Sequence, residues 1–163
     1  MTPAGDIEVR AILDEDRPAV VGVLRDRWGS DRTVRNGELF RPADLPGFVA
    51  VLDGRPAGYL TILLRQDTLE IAWLDAMVGR RGVGSALVAA AVEAAREHAC
   101  RRVVVTTTND NVDALRFYQR RGFQLAELRR GAIDAGRALK PEIPEAGAYG
   151  IPLRDELELE LLL

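Results

Sequence analysis

The sequence feature that most constrains this chain is a glycine turn at residues 79–84 (G-R-R-G-V-G), set between an apolar run and a long alanine-rich segment. This order predicts a strand that leads into a helix through a tight turn. Backbone N–H groups at the start of such a helix lie at the positive end of its dipole, which favours an anion. Gly82 and Gly84 leave room for a close ligand, because they carry no side chain. The turn therefore predicts a phosphate-binding site.

Composition and charge narrow the class of protein. The chain has 163 residues, 47% of them hydrophobic and 29% charged, which predicts one globular domain over residues 1–163. A net charge of −3 argues against a general nucleic-acid binder and weakly favours a cationic substrate. With one cysteine, no charged-then-apolar leader and no long apolar run, we expect a reduced, cytoplasmic protein without membrane contact.

The first half of the chain predicts a strand, a helix and an antiparallel meander. Alternation indicates a strand at residues 7–13, and Pro18 fits the first turn of a helix that runs to about Trp28. Residues 33–46 are expected to be irregular, because glycine and proline interrupt any pattern. A turn signal at residues 53–56 joins the first two of three further strands, predicted at residues 48–52, 57–65 and 69–78.

The second half predicts a crossover. An alanine-rich helix from Val83 precedes a β-branched strand at residues 102–107, which we expect to lie parallel to the strand before the turn. Asn111 is predicted to cap a helix at residues 112–121, followed by a strand at 123–128 and a long connection at 131–150. In the last segment, 153–163, leucines alternate with glutamates. We expect a half-buried strand whose glutamates face solvent, in preference to a metal site.

Two motifs together identify a family. The first is the glycine turn, and the second is an Asn-led helix with the pattern A-x-x-x-Y-x-x-x-G-F, formed by Ala114, Tyr118, Gly122 and Phe123. The pair resembles the GNAT superfamily of N-acetyltransferases, in a prokaryotic-type subgroup with a short acetyl-CoA loop. The resemblance implies an α/β (α+β) fold: a mixed, mostly antiparallel, twisted sheet of about six to seven strands, with splayed parallel central strands and about four flanking helices.

The resemblance implies acetyl-CoA as co-substrate and no metal. The pyrophosphate would bind the amides at the start of the helix, and the pantetheine arm would pair with the strand before the turn. The N–H of Ala76 or Met77 would polarise the thioester carbonyl. Gly79 stands where the family has Gln or Arg, so one phosphate contact would either be lost or be supplied by Arg80 or Arg81. The implied cofactor-binding residues are Ala76, Met77, Val78, Arg80, Arg81, Gly82, Val83, Gly84, Ser85, Asn109, Asn111 and Ala114.

The resemblance also implies the catalytic groups. Tyr118 stands where the family has a proton donor for the departing thiolate, although packing alone would also explain its spacing from Ala114. Glu70, on the strand before the turn, is the candidate general base. Asp75 is its rival on the same strand, and a solvent-facing role for Glu70 is the alternative. For Asn111, helix capping is the stronger alternative to a cofactor contact.

The predicted function is an acetyl-CoA-dependent N-acetyltransferase in which a primary amine attacks the thioester directly in a ternary complex. A non-catalytic acyl-CoA sensor or scaffold is the alternative, and a dinucleotide site is disfavoured because the third glycine of its fingerprint is missing. The acceptor would be a small-molecule or peptide amine, bounded by residues 28–46 and 131–149. A homodimer through the final strand is a further expectation, whereas nucleic acid and membrane are not expected as partners.

Overall fold

The computed structural model describes residues 5–163, and two sheets organise them. The main sheet has seven strands in the order β1-β4-β5-β6-β7-β9-β8, and β2 and β3 form a separate hairpin. The strands are β1 (Ile7–Ala11), β2 (Thr33–Arg35), β3 (Glu38–Phe40), β4 (Gly47–Leu52), β5 (Arg55–Arg65), β6 (Thr68–Ala76), β7 (Arg102–Thr108), β8 (Gln124–Arg129) and β9 (Glu156–Leu162). The helices are α1 (Arg17–Trp28), α2 (Val83–Glu97), α3 (Val112–Gln119) and the short α4 (Ala132–Gly136).

The main sheet is antiparallel except at its centre, where β6 and β7 run parallel. The ladder between these two strands ends at the pair Ile71 and Val105, although both strands continue beyond it. The two strands therefore splay apart along their second halves. This mixed sheet with one splayed parallel pair, together with four helices, confirms the predicted fold class.

The two faces of the sheet are covered by different elements. On one face, the small residues of α2 let the helix lie close, so Leu87 and Ala91 pack with Leu60, Val103 and Leu159 in one apolar cluster. Helix α3 joins the same cluster. On the other face, α1 packs against Val49, Tyr59 and Trp73. The β2–β3 hairpin also lies on that face, where Arg35 bonds to Glu70 of β6.

The expectation that residues 33–46 are irregular is wrong. They contain the β2–β3 hairpin, whose two-residue turn is formed by Asn36 and Gly37, both with positive φ (51° and 75°). An Asn-Gly pair is the usual sequence of this type I′ turn, because both positions must adopt left-handed conformations. The signal was present, but strands of three residues are too short to show alternation.

The expectation of a solvated glutamate face on the last strand is also wrong. Strand β9 lies between β7 and β8, and the Glu156 side chain is only 2% exposed. Its carboxylate meets Arg129 on β8 and the backbone N–H of Asn36. Because β9 is paired along both edges, its edge offers no place for a second copy. The homodimer itself stays a prediction. Among residues 5–163, no helix combines the length and apolar character needed to span a bilayer.

Candidate active site

An open cleft of about 1020 Å³, here called the outer cleft, lies between the end of β6, the start of α2 and the helix α3. It is where the strand–turn–helix order predicts a phosphate site. The predicted cofactor residues along its wall are Ala76, Val78, Arg80, Gly82, Val83, Gly84 and Ser85. Two other predicted contacts, Met77 and Arg81, do not line it.

The turn before α2 has the backbone geometry of an anion site. Gly82 caps the helix with φ of 81°, a left-handed conformation that glycine adopts without strain. The first-turn amides of α2, from Val83 to Ser85, have no carbonyl of their own helix to bond. At Gly84 a Cβ atom would approach the Phe117 ring to 3.1 Å, so a larger residue would push the ring away by a few tenths of an ångström. The amides of α2 thus open towards the cleft.

Arginines of α3 and its C-terminal end complete the outer cleft, and the sequence analysis did not identify them. The Arg121 guanidinium stacks 3.6 Å from the centre of the Phe117 ring, and its Nε donates to the Ser85 hydroxyl at 3.2 Å. Burial and the adjacent Arg120 cation lower the pKa of Arg121, because both disfavour its charged form. Arg116 and Arg120 also line the cleft. An anion here would relieve this crowding of positive charge.

The splay between β6 and β7 leaves backbone groups of β6 unpaired. The Met77 N–H donates to the Ala57 carbonyl on the β5 side at 2.9 Å. Because successive residues of a strand direct their backbone groups to opposite edges, the Ala76 N–H points into the splay. Of the two N–H groups predicted to polarise the thioester, that of Ala76 therefore faces the gap, whereas that of Met77 is bonded to Ala57.

A second cavity, here called the inner cavity, opens from the splay on the side of the sheet that carries α1. Its volume is about 410 Å³, within the range of small-molecule sites. It shares Leu74, Asp113 and Phe117 with the outer cleft, so the two spaces meet where the strands separate. Further lining comes from Trp28, Arg32, Arg35, Trp73, Thr106, Asn111, Ala114, Tyr118, Lys140 and Glu156.

Tyr118 lies in the wall of the inner cavity, next to Phe117, which both spaces share. The residue is 5% exposed, and its ring packs edge-on against Phe117 and Phe123, with ring centres 5.0 Å and 5.2 Å away. Burial raises the pKa of the phenol, because the phenolate would lose its hydration. The Tyr118 side chain thus packs in the apolar cluster and also lines the inner cavity, so a packing role and a role as proton donor are compatible. The phenol stays protonated at neutral pH.

The two carboxylates of β6 that were candidates for the base are held in ion pairs and do not line the inner cavity. Glu70 meets Arg35 at 2.7 Å and Arg65 at 3.4 Å, and its side chain is 12% exposed. Asp75 accepts from the Arg27 guanidinium at 2.9 Å and from the Trp28 indole at 2.7 Å. The role of Glu70 as a base stays a prediction.

Arg35 organises this part of the site. A bulge interrupts the ladder between β5 and β6 and leaves Ala72 without a partner residue on β5. Arg35 donates to the Ala72 carbonyl at 2.6 Å while pairing with Glu70. Burial lowers the pKa of Arg35, and the Glu70 carboxylate counteracts that effect. The β2–β3 hairpin is therefore fastened to the β6 strand.

Glu156 is a carboxylate in the wall of the inner cavity, and the sequence analysis placed it in solvent. Its Oε2 lies 3.2 Å from Arg129 Nε, and both of its oxygens accept from the Asn36 N–H. Arg129 also meets Glu158 at 3.3 Å and donates to the Thr106 hydroxyl at 2.9 Å. Only knowledge of the strand order could have found this residue.

The remaining predicted cofactor residues lie around α3. Asn111 caps the helix by accepting from the Ala114 N–H at 3.1 Å, and both residues line the inner cavity. The Asn109 amide is used elsewhere: it donates to the Pro152 carbonyl at 2.8 Å and accepts from the N–H groups of Arg154 and Asp155. Asn109 therefore tethers the segment that leads into β9. Its contact with a cofactor stays a prediction.

Comparison with known proteins agrees with this geometry. The sequence profile described as the acetyltransferase (GNAT) family matches residues 8–123. The uncharacterized protein YdhI of Bacillus subtilis is 40% identical over 131 residues, which cover 80% of this chain and 82% of that protein. Streptothricin acetyltransferase of Streptomyces lavendulae is 33% identical over 130 residues, covering 77% of this chain and 67% of that protein.

A solved structure shows the same fold. The crystal structure of a Bacillus subtilis acetyltransferase in complex with CoA superposes with a TM-score of 0.68 at 20% identity, covering 98% of this chain and 99% of that one. At this level of identity the likeness concerns the fold. Together with the family profile, it confirms the resemblance carried by the glycine turn and the Tyr118 helix.

Proposed function

The chain belongs to the acetyltransferase (GNAT) family, and from this premise we propose that it transfers an acetyl group from acetyl-CoA to a primary amine. The observation that carries the proposal is the junction of the two spaces. A cationic outer cleft at a helix N-terminus opens, through the splay of β6 and β7, into an inner cavity walled by Tyr118.

The outer cleft fits the phosphates of CoA. The α2 amides and the Arg121 guanidinium converge near Ser85, which supports a pyrophosphate site there. Arg80 and Arg120, which form no salt bridge among residues 5–163, add positive charge on the same wall, which supports their replacing the contact missing at Gly79. The inward backbone of Leu74 and Ala76 would pair with the pantetheine amides, as an added strand does.

The residues at the junction fit acetyl transfer. Acetyl-CoA supplies an activated acetyl thioester. The Ala76 N–H points into the splay, where it would stabilise negative charge on the carbonyl oxygen as the amine attacks. Tyr118 holds a proton at neutral pH and would donate it to the departing thiolate. Direct attack requires no covalent enzyme intermediate.

A carboxylate would accept the proton from the attacking ammonium, directly or through water. Glu70 is the candidate from sequence, Asp75 is its rival, and Glu156 is the carboxylate in the cavity wall. Glu70→Gln, Asp75→Asn and Glu156→Gln separate them. The variant that removes the true general base should lower kcat, and its plot of kcat against pH should lose the fall at acidic pH. A variant that only breaks an ion pair should keep that fall.

A screen for thiol release tests the proposed function. Purified protein is mixed with acetyl-CoA and a panel of small-molecule and peptide amines, and free CoA thiol is followed together with the mass of each amine. Because one relative is named for streptothricin, that compound belongs in the panel. We expect thiol release matched by a gain of one acetyl group on an acceptor. Tight acetyl-CoA binding with no release across the panel would favour the alternative, an acyl-CoA sensor, which the departure at Gly79 supports.

A further inference from the structure

The mouth of the inner cavity carries two cations that have no ion-pair partner. Arg32 and Lys140, the sole lysine of the chain, both line the cavity. Among residues 5–163, no carboxylate oxygen lies within 4.0 Å of the side-chain nitrogens of Arg32 or Lys140. The Lys140 Nζ donates to the Arg32 carbonyl at 2.8 Å, so the two residues are fastened side by side. Lys140 keeps two further N–H donors for a ligand.

The other charged groups of the inner cavity are already neutralised. Arg35 is paired with Glu70, and Glu156 is paired with Arg129. Asp113 accepts from the Tyr149 hydroxyl at 2.7 Å and lies 3.6 Å from Arg116. The uncompensated charge of the cavity is therefore positive, although the net charge of the chain is −3. This local charge opposes the weak expectation of a cationic substrate.

We propose that the amine acceptor carries a carboxylate, and that Arg32 and Lys140 bind this carboxylate at the mouth of the inner cavity. The proposal rests on the proposed acetyl transfer and names its substrate class: a free amino acid, or a small amine of similar size with one carboxylate. The carboxylate stays at the mouth, and the amine extends towards Tyr118 and the splay. The volume of about 410 Å³ suits a ligand of this size.

The chemistry of the two side chains supports this class. An arginine guanidinium matches a carboxylate with two parallel hydrogen bonds, and a lysine adds a point charge. Partial burial lowers the pKa of Lys140, because its ammonium has lost part of its hydration, and the Glu142 carboxylate counteracts part of that effect from beyond salt-bridge distance. A carboxylate would restore that lost stabilisation. The Ser30 hydroxyl, which accepts from the Arg32 N–H at 3.2 Å, holds the Arg32 backbone in place.

The test compares each acceptor with its uncharged partner. The amino acids with a primary amine and their carboxamides are assayed with saturating acetyl-CoA. Their kcat/KM values are compared per concentration of deprotonated amine, because amidation removes the negative charge and also lowers the pKa of the α-amine. Because a charge-assisted hydrogen bond contributes about 1.5–3 kcal/mol, kcat/KM for at least one acid should exceed that of its carboxamide by about tenfold or more. Carboxamides acetylated as fast as the acids, or faster, would overturn the proposal.

Variants assign the effect to the two side chains. Arg32→Gln and Lys140→Gln should each reduce the acid-to-carboxamide ratio of kcat/KM by about tenfold, with KM for acetyl-CoA unchanged. Arg55→Gln is the matched control, because Arg55 is exposed and lines neither space. An unchanged ratio in both cavity variants overturns the proposal. If no amine of either kind, nor streptothricin, is acetylated, the proposed function fails. If amines are acetylated without preference for a carboxylate, only this inference fails.

Discussion

The outer cleft and the inner cavity meet at one junction, but the chain builds them differently. The outer cleft comes mainly from two continuous stretches, residues 78–96 (the turn and α2) and the helix α3 with the residues after it, together with the end of β6. Its candidate ligand-binding groups are the backbone amides at the start of α2, next to glycines, and arginines near Ser85. The inner cavity draws on α1, β2, β6, β7, α3, β9 and the connection that carries Lys140. The first is a local structure and the second is a product of tertiary folding.

The two spaces also differ in how their charges are balanced. In the outer cleft Arg116 pairs with Asp113 and Arg96 with Glu93, but Arg120 and Arg121 lie side by side, so an anionic ligand would offset their charge. In the inner cavity the charges along the sheet are paired within the protein, through Arg35 with Glu70 and through Arg129 with Glu156. The difference teaches that the outer cleft has the charge of a site for an anionic group, whereas the charges of the inner cavity are largely balanced by ion pairs within the protein.

The largest expected effect is on stability, and it tests the internal pairing. Arg129→Met would leave Glu156, at 2% exposure, without its cation, and breaking such a buried pair costs about 3–5 kcal/mol. Urea unfolding should show a lower midpoint with an unchanged slope.

The double variant Arg129→Met/Glu156→Met is the control. It removes both charges, so it should recover much of the lost stability. A single variant as stable as the parent protein would show that the ion pair does not hold the inner cavity together.

The next largest effect is on kcat, and it tests whether Tyr118 acts as the proton donor. Tyr118→Phe should lower kcat by about a hundredfold, because the departing thiolate loses its proton donor. Since burial raises the pKa of Tyr118, deprotonation of this phenol should not lower kcat of the parent protein up to about pH 10.

Tyr59→Phe is the matched control for Tyr118→Phe. Tyr59 is a buried tyrosine that also has a raised pKa, but it packs on the α1 face and lines neither space. Its kcat should stay close to that of the parent protein. Equal rates for Tyr118→Phe and Tyr59→Phe would remove Tyr118 from the reaction.

A smaller effect is expected in the outer cleft. Arg121→Gln should weaken acetyl-CoA binding by about tenfold, because one charge-assisted contact to phosphate is lost while the α2 amides remain. Isothermal titration calorimetry measures the change. Arg101→Gln is the control and should bind as the parent protein does, because the Arg101 side chain is 86% exposed and lies just before β7, outside the outer cleft. The acetyl-CoA affinity of Arg121→Gln should also fall less steeply with salt concentration than that of the parent protein.

The smallest effect concerns the departure in the glycine turn. A Cβ added at Gly79 meets no atom within 4 Å, so Gly79→Gln should change the free energy of unfolding by no more than about 0.5 kcal/mol. If arginines of the outer cleft already bind the phosphates, the acetyl-CoA affinity of Gly79→Gln should stay within about threefold of the parent value. A large gain would show that the outer cleft lacks a contact in this chain.

Local features made the fold and the outer cleft predictable from the sequence. The glycine turn and the Asn111 cap each act within about one helical turn, the small-residue stripe recurs along the single helix α2, and each is found where the pattern predicts it. The meander of β4, β5 and β6 follows from turn residues between apolar runs. Three arginines of the outer cleft were missed because they occupy unspecified positions of the Tyr118 motif, on a helix face that only packing against α2 reveals: Arg116, Arg120 and Arg121.

The inner cavity could not be predicted because its groups meet only after the sheet is assembled. Glu156 appeared solvent-facing, since alternation alone cannot tell an edge strand from one inserted between β7 and β8. Arg35 lies on a strand of three residues, and its partner Glu70 is 35 residues away. Lys140 reaches Arg32 across 108 residues. Such pairings depend on strand order, which the sequence pattern does not contain.

The most direct test of the central claim is thermal unfolding of the protein at increasing acetyl-CoA concentration, with ATP and NAD as comparison ligands. A ligand that binds only the folded state stabilises it by about 2.7 kcal/mol at a hundred times its Kd. We predict a melting temperature that rises steadily with acetyl-CoA up to about 1 mM, with a much smaller rise for ATP and NAD. No rise with acetyl-CoA over that range, or an equal rise with all three ligands, would contradict the assignment of the outer cleft to acetyl-CoA.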